Sequence, residues 1–196
     1  ASDGLPLSAC AGIAITKAKY PFYRGCKLAE QLCKSAKKRC KDEGNNGSWL
    51  DFHIAYGGFS GTLEEIRASH YTAAQGKLPF GPYSIGNHHE HGIDTLIENI
   101  RALTVAPLPE KQFPRSRLKE LRQVIILEKD ATSRFVQELE ARGLQLPVIN
   151  GRFYQKTLWD NSKTPYFDMV ELMEFYPVVV YFIANRAHIY LFNYQG

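Results

Sequence analysis

Residues 10–53 decide the fold of this chain, and they read CAGIAITK at 10–17, YPFYRGCKLAEQLCKSAKKRCKDE at 20–43, GNNG at 44–47 and SWLDFH at 48–53. This order predicts a strand from Cys10 to Lys17, a helix from Phe22 to about Glu43 and a second strand from Ser48 to Tyr56. The sequence does not say whether the two strands are neighbours. The helix prediction depends on an apolar stripe with helical spacing, formed by Phe22, Cys26, Ala29, Cys33, Ala36 and Cys40.

The residue types also predict the ends and surroundings of these elements. Ala, Ile and Cys occupy both faces of the first strand, which predicts a strand in the interior of a sheet. Gly44 is placed to end the helix in a left-handed conformation. After a flexible Gly-rich loop at 57–61, Thr62 is predicted to cap a short helix from Leu63 to Ser69.

Beyond a soft boundary in the Gly- and Pro-rich stretch 72–92, the chain is predicted to be mostly helical. The predicted elements are a short edge strand at Phe80–Ile85 and helices at Ile93–Leu103, from near Arg115, at Thr132–Arg142 and at Thr164–Tyr176. The remaining parts are an irregular segment or short hairpin at 145–160 and an apolar hairpin built from 178–183 and 188–194. Three segments follow from these boundaries: 1–75, 76–177 and 178–196.

Composition is that of an ordinary globular protein, since 44% of the 196 residues are hydrophobic and 22% are charged. The formal charge of +4 permits a nucleic-acid or nucleotide partner without requiring one. No signal peptide begins the chain and polar residues interrupt its most apolar run, so we expect a cytoplasmic protein and no membrane partner. The four cysteines form no Cys-x-x-Cys pair and are expected to be reduced core thiols. Because the first residue is Ala, we expect the chain to be a piece of a longer protein.

Three polar clusters each have two interpretations. On the long helix, a solvated face is favoured over a phosphate contact for Lys34, Lys37, Lys38, Arg39 and Lys41. In the loop that follows 86, a solvated surface is favoured over a divalent-metal site for His88, His89, Glu90, His91 and Asp94. Further on, a salt-bridged helix is favoured over a nucleic-acid patch for Arg115, Arg117, Lys119 and Arg122 with Glu110, Glu120 and Glu128.

Aromatic side chains also have two interpretations. Stacking on bases and packing in the core are both open to them, and a 12% aromatic content makes core packing the default. The side chains concerned are Tyr20, Phe22, Tyr23, Phe59 and Tyr71.

The sequence contains no complete active site. The glycine-rich dinucleotide and phosphate-binding motifs and the Gly-x-Ser-x-Gly motif are absent. Gly57-Gly58 is followed by Phe59-Ser60, where the hairpin of a two-metal polymerase or cyclase needs aspartates. The residues therefore predict neither a catalytic group nor a metal ligand.

Three groups of residues resemble a known palm domain, and they read LSACAGIAI at 7–15, KYPFYR at 19–24, and LAEQLC at 28–33 followed by AK at 36–37. The domain is the second palm of the large subunit of type III CRISPR effector complexes and of its stand-alone relatives. In that family a Ser-Ala-Gly-Ile-Ala-Ile strand, a Lys-Tyr-Pro turn and a helix with Ala-Lys follow one another. The order of elements is also similar to the diguanylate-cyclase fold. The match covers residues 7–71 and extends weakly to Pro177, and Cys10 stands where the family usually has Ser.

The resemblance implies a parent protein that joins ATP molecules into cyclic oligoadenylates in antiviral defence, with Mg²⁺ held by a Gly-Gly-Asp-Asp hairpin. That hairpin belongs upstream of Ser8 in the family and is absent from this sequence, so this chain alone is expected to be inactive. Carried over by position, the resemblance implies a phosphate contact at Lys37 and a bound base beside the strand end at Cys10 and Gly12.

With this resemblance, the expected fold class is α+β. Residues 1–75 would form a partial ferredoxin-like sheet, the C-terminal half of a nucleotide-cyclase or polymerase palm, and a mostly helical region would follow. A sheet of two or three strands leaves unpaired backbone at its edge. We therefore expect self-association or pairing with the missing N-terminal half of the palm. The alternative function is a non-catalytic scaffold that binds RNA or other CRISPR effector subunits.

Overall fold

A computed structural model describes residues 8–44, 47–57, 61–86, 91–104, 113–147 and 154–174. The strands are β1 Cys10–Thr16, β2 Ser48–Ala55, β3 Thr72–Ala73, β4 Gly76–Lys77 and β5 Tyr83–Ile85. The helices are α1 Phe22–Asp42, α2 Leu63–His70, α3 Ile93–Thr104, α4 Arg115–Val124, α5 Lys129–Ala141, α6 Tyr154–Thr157 and α7 Tyr166–Met173. The predicted hairpin at 178–196, most of the Gly-rich loop, and Phe59, His88, His89, Glu90 and Glu110 lie outside the described residues.

The chain is α+β and contains a small mixed sheet in the order β1-β2-β5. β1 and β2 are parallel neighbours, with Cys10 opposite Trp49 and Thr16 opposite Ala55. β5 pairs antiparallel with β2, so the short strand predicted at Phe80–Ile85 is confirmed in its second half. The two parallel strands are joined by α1, as a parallel pair requires a crossover connection.

The position of β1 corrects the prediction of an interior strand. Among the described strands β1 pairs only with β2, so it lies at an edge of the sheet. Its small residues have another cause, because a Cβ atom added to Gly12 would lie 2.1 Å from the carbonyl oxygen of Ala29 and 2.3 Å from the amide nitrogen of Cys33. The small side chains of β1 therefore reflect the close approach of α1 and not a second neighbouring strand.

Helix α1 covers one face of the parallel strands, and it does so with only part of the stripe that the sequence suggested, since Ala36 and Cys40 of that stripe are buried. Its buried residues are Leu28, Leu32, Ala36 and Cys40. Phe22 and Cys26 are exposed instead, and Phe22 keeps 84% of its surface. Two stripes fit the same helical period, and the stripe that carries the two leucines buries more apolar area.

The opposite face of the sheet contacts the larger apolar core. Phe52 and Ile54 of β2 belong to this core, whereas Trp49 and Ala55 pack on the α1 side, as alternating side chains of a strand must. Helices on the C-terminal side of residue 76 complete the core through side chains such as Leu96, Leu121, Leu139 and Met169. The predicted segments 1–75 and 76–177 therefore share one apolar core.

Two predicted chain features are confirmed in detail. Gly44 follows the C-cap residue of α1, Glu43, and has φ +74°, the left-handed conformation expected of a glycine that ends a helix. Thr62 caps α2, since its side chain accepts a hydrogen bond from the Glu65 amide and the Glu65 carboxylate accepts one from the Thr62 amide.

Candidate functional site

Cys10 and Gly12, two of the predicted nucleotide-binding residues, lie beneath α1. The absence of a side chain at Gly12 admits the helix backbone on this face. Cys10 packs against Ala36, Cys40 and Trp49. Burial is the main cause that raises the pKa of the Cys10 thiol, and the neighbouring Cys40 raises it further. The Cys10 thiol therefore stays protonated at neutral pH. On the face that α1 covers, these two positions serve the packing of helix on strand.

The third predicted residue, Lys37, lies on α1 and is exposed. The structure therefore does not place it with Cys10 and Gly12 on one open surface. It belongs instead to a set of exposed lysines on the same helix, formed by Lys27, Lys34, Lys37, Lys38 and Lys41. Among the described residues none of these five lysines forms an ion pair, in contrast to Arg39, which pairs with Glu43 at 2.9 Å and lies over the Trp49 ring.

Four of these lysines form one row along the solvent side of α1, which we call the lysine strip: Lys27, Lys34, Lys38 and Lys41. At 3.6 residues per turn these positions fall within a sector of roughly 60°, and they span roughly 21 Å along the axis. Glu30 is the only acidic residue of the helix before Asp42, so positive charge dominates this side of α1. Lysine ammonium groups are strongly hydrated point charges that suit contacts with phosphate.

The first turn of α1 carries two exposed aromatic rings. Tyr23 is in line with the lysine strip, whereas Phe22 lies roughly 100° further around the helix. Phe22 keeps 84% of its accessible surface and Tyr23 keeps 67%. Core packing, the default expected for both, is therefore wrong, while Tyr71 is buried as expected. The Arg24 guanidinium lies 5.8 Å from the centre of the Tyr23 ring, and its Nε donates a hydrogen bond to the Tyr23 hydroxyl at 3.0 Å.

A buried ion pair holds α2 against β2, and the sequence did not reveal it. Arg67 donates two hydrogen bonds to the Asp51 carboxylate, at 2.9 and 2.8 Å, and a third at 3.2 Å to the carbonyl of Phe52. Asp51 is only 1% exposed. The alternation of β2 placed Asp51 on a mixed face, and the one available signal was a carboxylate in a strand otherwise rich in apolar residues.

Helix α7 carries two further buried carboxylates. Oδ2 of Asp168 accepts hydrogen bonds from the amides of Phe80 and Gly81, at 2.9 and 3.3 Å, and from the Tyr83 hydroxyl at 2.6 Å. Burial raises the pKa of Asp168 to about 6, although these donors and the Arg67 guanidinium act in the opposite direction. Asp168 thus fastens α7 to the segment that leads into β5.

The second buried carboxylate of α7, Glu171, accepts a hydrogen bond from Arg122 of α4 at 2.9 Å. Burial raises the pKa of Glu171 to about 7 against the effect of Arg122. The Arg122 guanidinium also lies 5.3 Å from the centre of the Tyr56 ring, and the Tyr56 hydroxyl donates to Glu174 at 3.1 Å. These contacts connect α4 with α7 and with the residue that follows β2, so the network is a structural one.

Two of the basic residues of α4, Arg117 and Arg122, form ion pairs. Arg117 pairs with Glu120 at 2.6 Å and with Glu138 of α5 at 3.3 Å. This outcome agrees with the predicted salt-bridged helix, although Glu138 and the Glu171 partner of Arg122 were not foreseen.

His91 is buried, and its ring stacks on that of Phe80 with the ring centres 4.4 Å apart. The solvated surface position predicted for His91 is therefore wrong.

The described part of the chain shows neither a cluster of metal ligands nor a helix that could span a membrane. No group of three or more His, Cys, Asp and Glu side chains there is arranged to hold a metal ion. None of the helices in the same residues has the length and apolar character needed to cross a bilayer. No protein-family model matches the sequence, and comparison with curated proteins finds no significant match.

Proposed function

We propose that this chain is a non-catalytic, RNA-binding scaffold, the palm-like part of a CRISPR-associated effector protein of the cytoplasm. The observation that supports RNA binding is the lysine strip, because four exposed lysines without ion pairs among the described residues lie in one row. A row roughly 21 Å long follows a polynucleotide backbone better than it follows a single triphosphate. Of the two functions that the sequence left open, the geometry therefore favours the non-catalytic scaffold that binds RNA.

The palm-like part of the proposal depends mainly on sequence. Its support is the motif set at 7–15, 19–24 and 28–37, together with the finding that β1, α1 and β2 form one unit. A complete ferredoxin-like sheet is built from split βαβ units, in which another strand separates the parallel pair. Here β1 and β2 are direct neighbours, so the strand order adds no support beyond the α+β class.

Use of ATP and Mg²⁺ by the parent protein, with Cys10, Gly12 and Lys37 at the nucleotide, stays a prediction. The cover of α1 over Gly12 leaves the strand edge and Lys37 as the surfaces open to a nucleotide. Among the described strands β1 has a partner on one edge only, which supports the further expectation that another strand pairs there, from a second copy or from the other half of a palm.

The RNA-binding proposal is tested by fluorescence anisotropy with a labelled single-stranded RNA at several salt concentrations. The test variant carries Lys27→Gln, Lys34→Gln and Lys38→Gln. The matched control carries Lys119→Gln, Lys129→Gln and Lys163→Gln, three exposed lysines outside α1. Each triple substitution lowers the formal charge from +4 to +1, so the two variants differ only in where charge is lost.

We expect the test variant to bind more weakly and its salt dependence to flatten. Each phosphate contact contributes about 0.7 to the slope of log affinity against log salt for a single strand, so the loss of three contacts lowers that slope by about 2. The control variant should keep the wild-type slope. Equal loss in both variants would reduce the effect to net charge, and absence of RNA binding by the wild-type chain at low salt would overturn the proposal.

A further inference from the structure

We infer that the RNA bound by α1 is single-stranded, with Phe22 and Tyr23 stacking on its unpaired bases. This inference rests on the proposed function and names the class of RNA that the same surface takes. Its starting point is exposure: Phe22 and Tyr23 expose 84% and 67% of their surface, whereas the other exposed large apolar side chains in the described residues expose 40–51%.

The placement of Tyr23 links the aromatic pair to the lysine strip. Tyr23 precedes Lys27 by four residues, so the two side chains lie on the same side of the helix one turn apart. The ring is held in place by Arg24, through the hydrogen bond to its hydroxyl and the guanidinium above its plane. Base-stacking and phosphate-binding groups therefore follow one another along a single helix.

Aromatic stacking groups favour single-stranded over double-stranded RNA. Every phosphate backbone attracts lysines, in duplexes and single strands alike, so the strip alone does not distinguish them. The faces of paired bases are covered by their neighbours in a duplex, whereas an unpaired base offers a face to an aromatic ring. A positively charged row that begins at the exposed Tyr23 ring, with the exposed Phe22 ring in the same helical turn, has the composition of a single-strand binding surface.

The charges along α1 favour RNA over a protein as the occupant of the aromatic pair. A protein partner for Phe22 and Tyr23 would place its surface beside the lysine strip and Arg24, and would need matching acidic groups there. A polynucleotide supplies both requirements at once, since each nucleotide carries one base and one negative charge.

The test compares three probes: a single-stranded RNA, the same RNA annealed to its complement, and inorganic polyphosphate. The variants are Phe22→Ala combined with Tyr23→Ala, Tyr23→Phe, which keeps the ring, and Leu127→Ala as a control that removes exposed apolar surface elsewhere. Both aromatic side chains are largely exposed, so the double variant is expected to fold, and circular dichroism checks this.

We expect the wild-type chain to bind the single strand more tightly than the duplex. The double alanine variant should lose about tenfold or more in affinity for the single strand, the range expected when stacking on a base is removed. Its salt slope and its affinity for polyphosphate should stay unchanged, because no phosphate contact is lost. Tyr23→Phe keeps the ring and loses only the hydrogen bond from Arg24, so it should retain most of the affinity that the double variant loses. Leu127→Ala should bind single-stranded RNA as the wild type does.

The outcomes separate this inference from the proposed function. If RNA binding depends on the lysine strip while the double variant binds as tightly as the wild type, the scaffold function stands and the stacking role is wrong. Equal affinity for duplex and single strand would also overturn the inference. If the wild-type chain binds polyphosphate but no RNA of either form, both the function and the inference fail.

Discussion

Helices α1 and α7 carry ionisable side chains in opposite ways. On α7, Asp168 and Glu171 are 7% and 3% exposed and each has hydrogen-bond partners from other elements. On α1, the lysine strip is exposed and has no ion pair in the described residues. A buried charge persists only with partners inside the fold, whereas an exposed one costs little without them. The carboxylates of α7 therefore hold the fold together, and the lysines of α1 are available to a partner.

The largest expected effect comes from removing a buried carboxylate of α7. Asp168→Ala leaves the amides of Phe80 and Gly81 and the Tyr83 hydroxyl without their acceptor. We expect the free energy of unfolding to fall by about 3–5 kcal/mol in urea denaturation, because several buried donors lose their partner together. Glu140→Ala, an exposed carboxylate on α5, should change it by less than about 0.5 kcal/mol. Similar losses for both variants would remove the contrast between buried and exposed charge.

A smaller effect is expected where α1 touches the sheet. Gly12→Ala puts a methyl group 2.1 Å from the Ala29 carbonyl oxygen, so the helix must move, and we expect a loss of roughly 2–3 kcal/mol in the same measurement. The matched control is Gly25→Ala within α1.

The control substitution is the same in chemistry and opposite in expected sign. A Cβ atom at Gly25 meets only Thr16 Cγ2, at 3.8 Å, and alanine favours the helix by about 1 kcal/mol over glycine. Gly25→Ala should therefore stabilise the chain. An unfolded Gly12→Ala variant would still agree with the close contact, whereas wild-type stability of Gly12→Ala would contradict it.

The elements of the first 70 residues were predictable because their signals are local. Helical spacing, Gly44 and the Thr62 cap each act within a few residues of sequence, and all three agree with the structure. The face of α1 was not predictable in the same way, since the stripe through Phe22 and the stripe through Leu28 share one period. The choice between them depends on where the sheet ends beneath the helix, which is a property of the whole fold.

The buried network could not be predicted because its partners are far apart in sequence. Asp168 meets Tyr83 at a separation of 85 residues, and Arg122 meets Glu171 at 49. The local pattern of α7 gave the helix but not the burial of its carboxylates, because the partners of Asp168 and Glu171 come from other elements. For the proposed interface, the lysines were visible in the sequence, and the exposure of Phe22 and Tyr23 was not.

An effect no larger than that of Gly12→Ala is expected from the pH dependence that α7 imposes on stability. The pKa of Asp168 is about 6 in the fold and 3.8 in its ordinary state, so the folded chain binds this proton more tightly. The contribution of Asp168 to the free energy of unfolding is therefore largest below about pH 4 and falls as pH rises towards 6, by roughly 2 kcal/mol. His53 acts oppositely: burial lowers its pKa to about 4, so its contribution to the free energy of unfolding falls as pH drops below 6.5.

Asp168→Asn removes only the pH dependence that is due to Asp168. The difference in unfolding free energy between wild type and this variant, measured from pH 4 to 7, isolates that dependence. A difference that stays constant over this range would mean that Asp168 keeps its ordinary pKa, and the contrast between α7 and α1 would then rest on hydrogen bonding and not on desolvation.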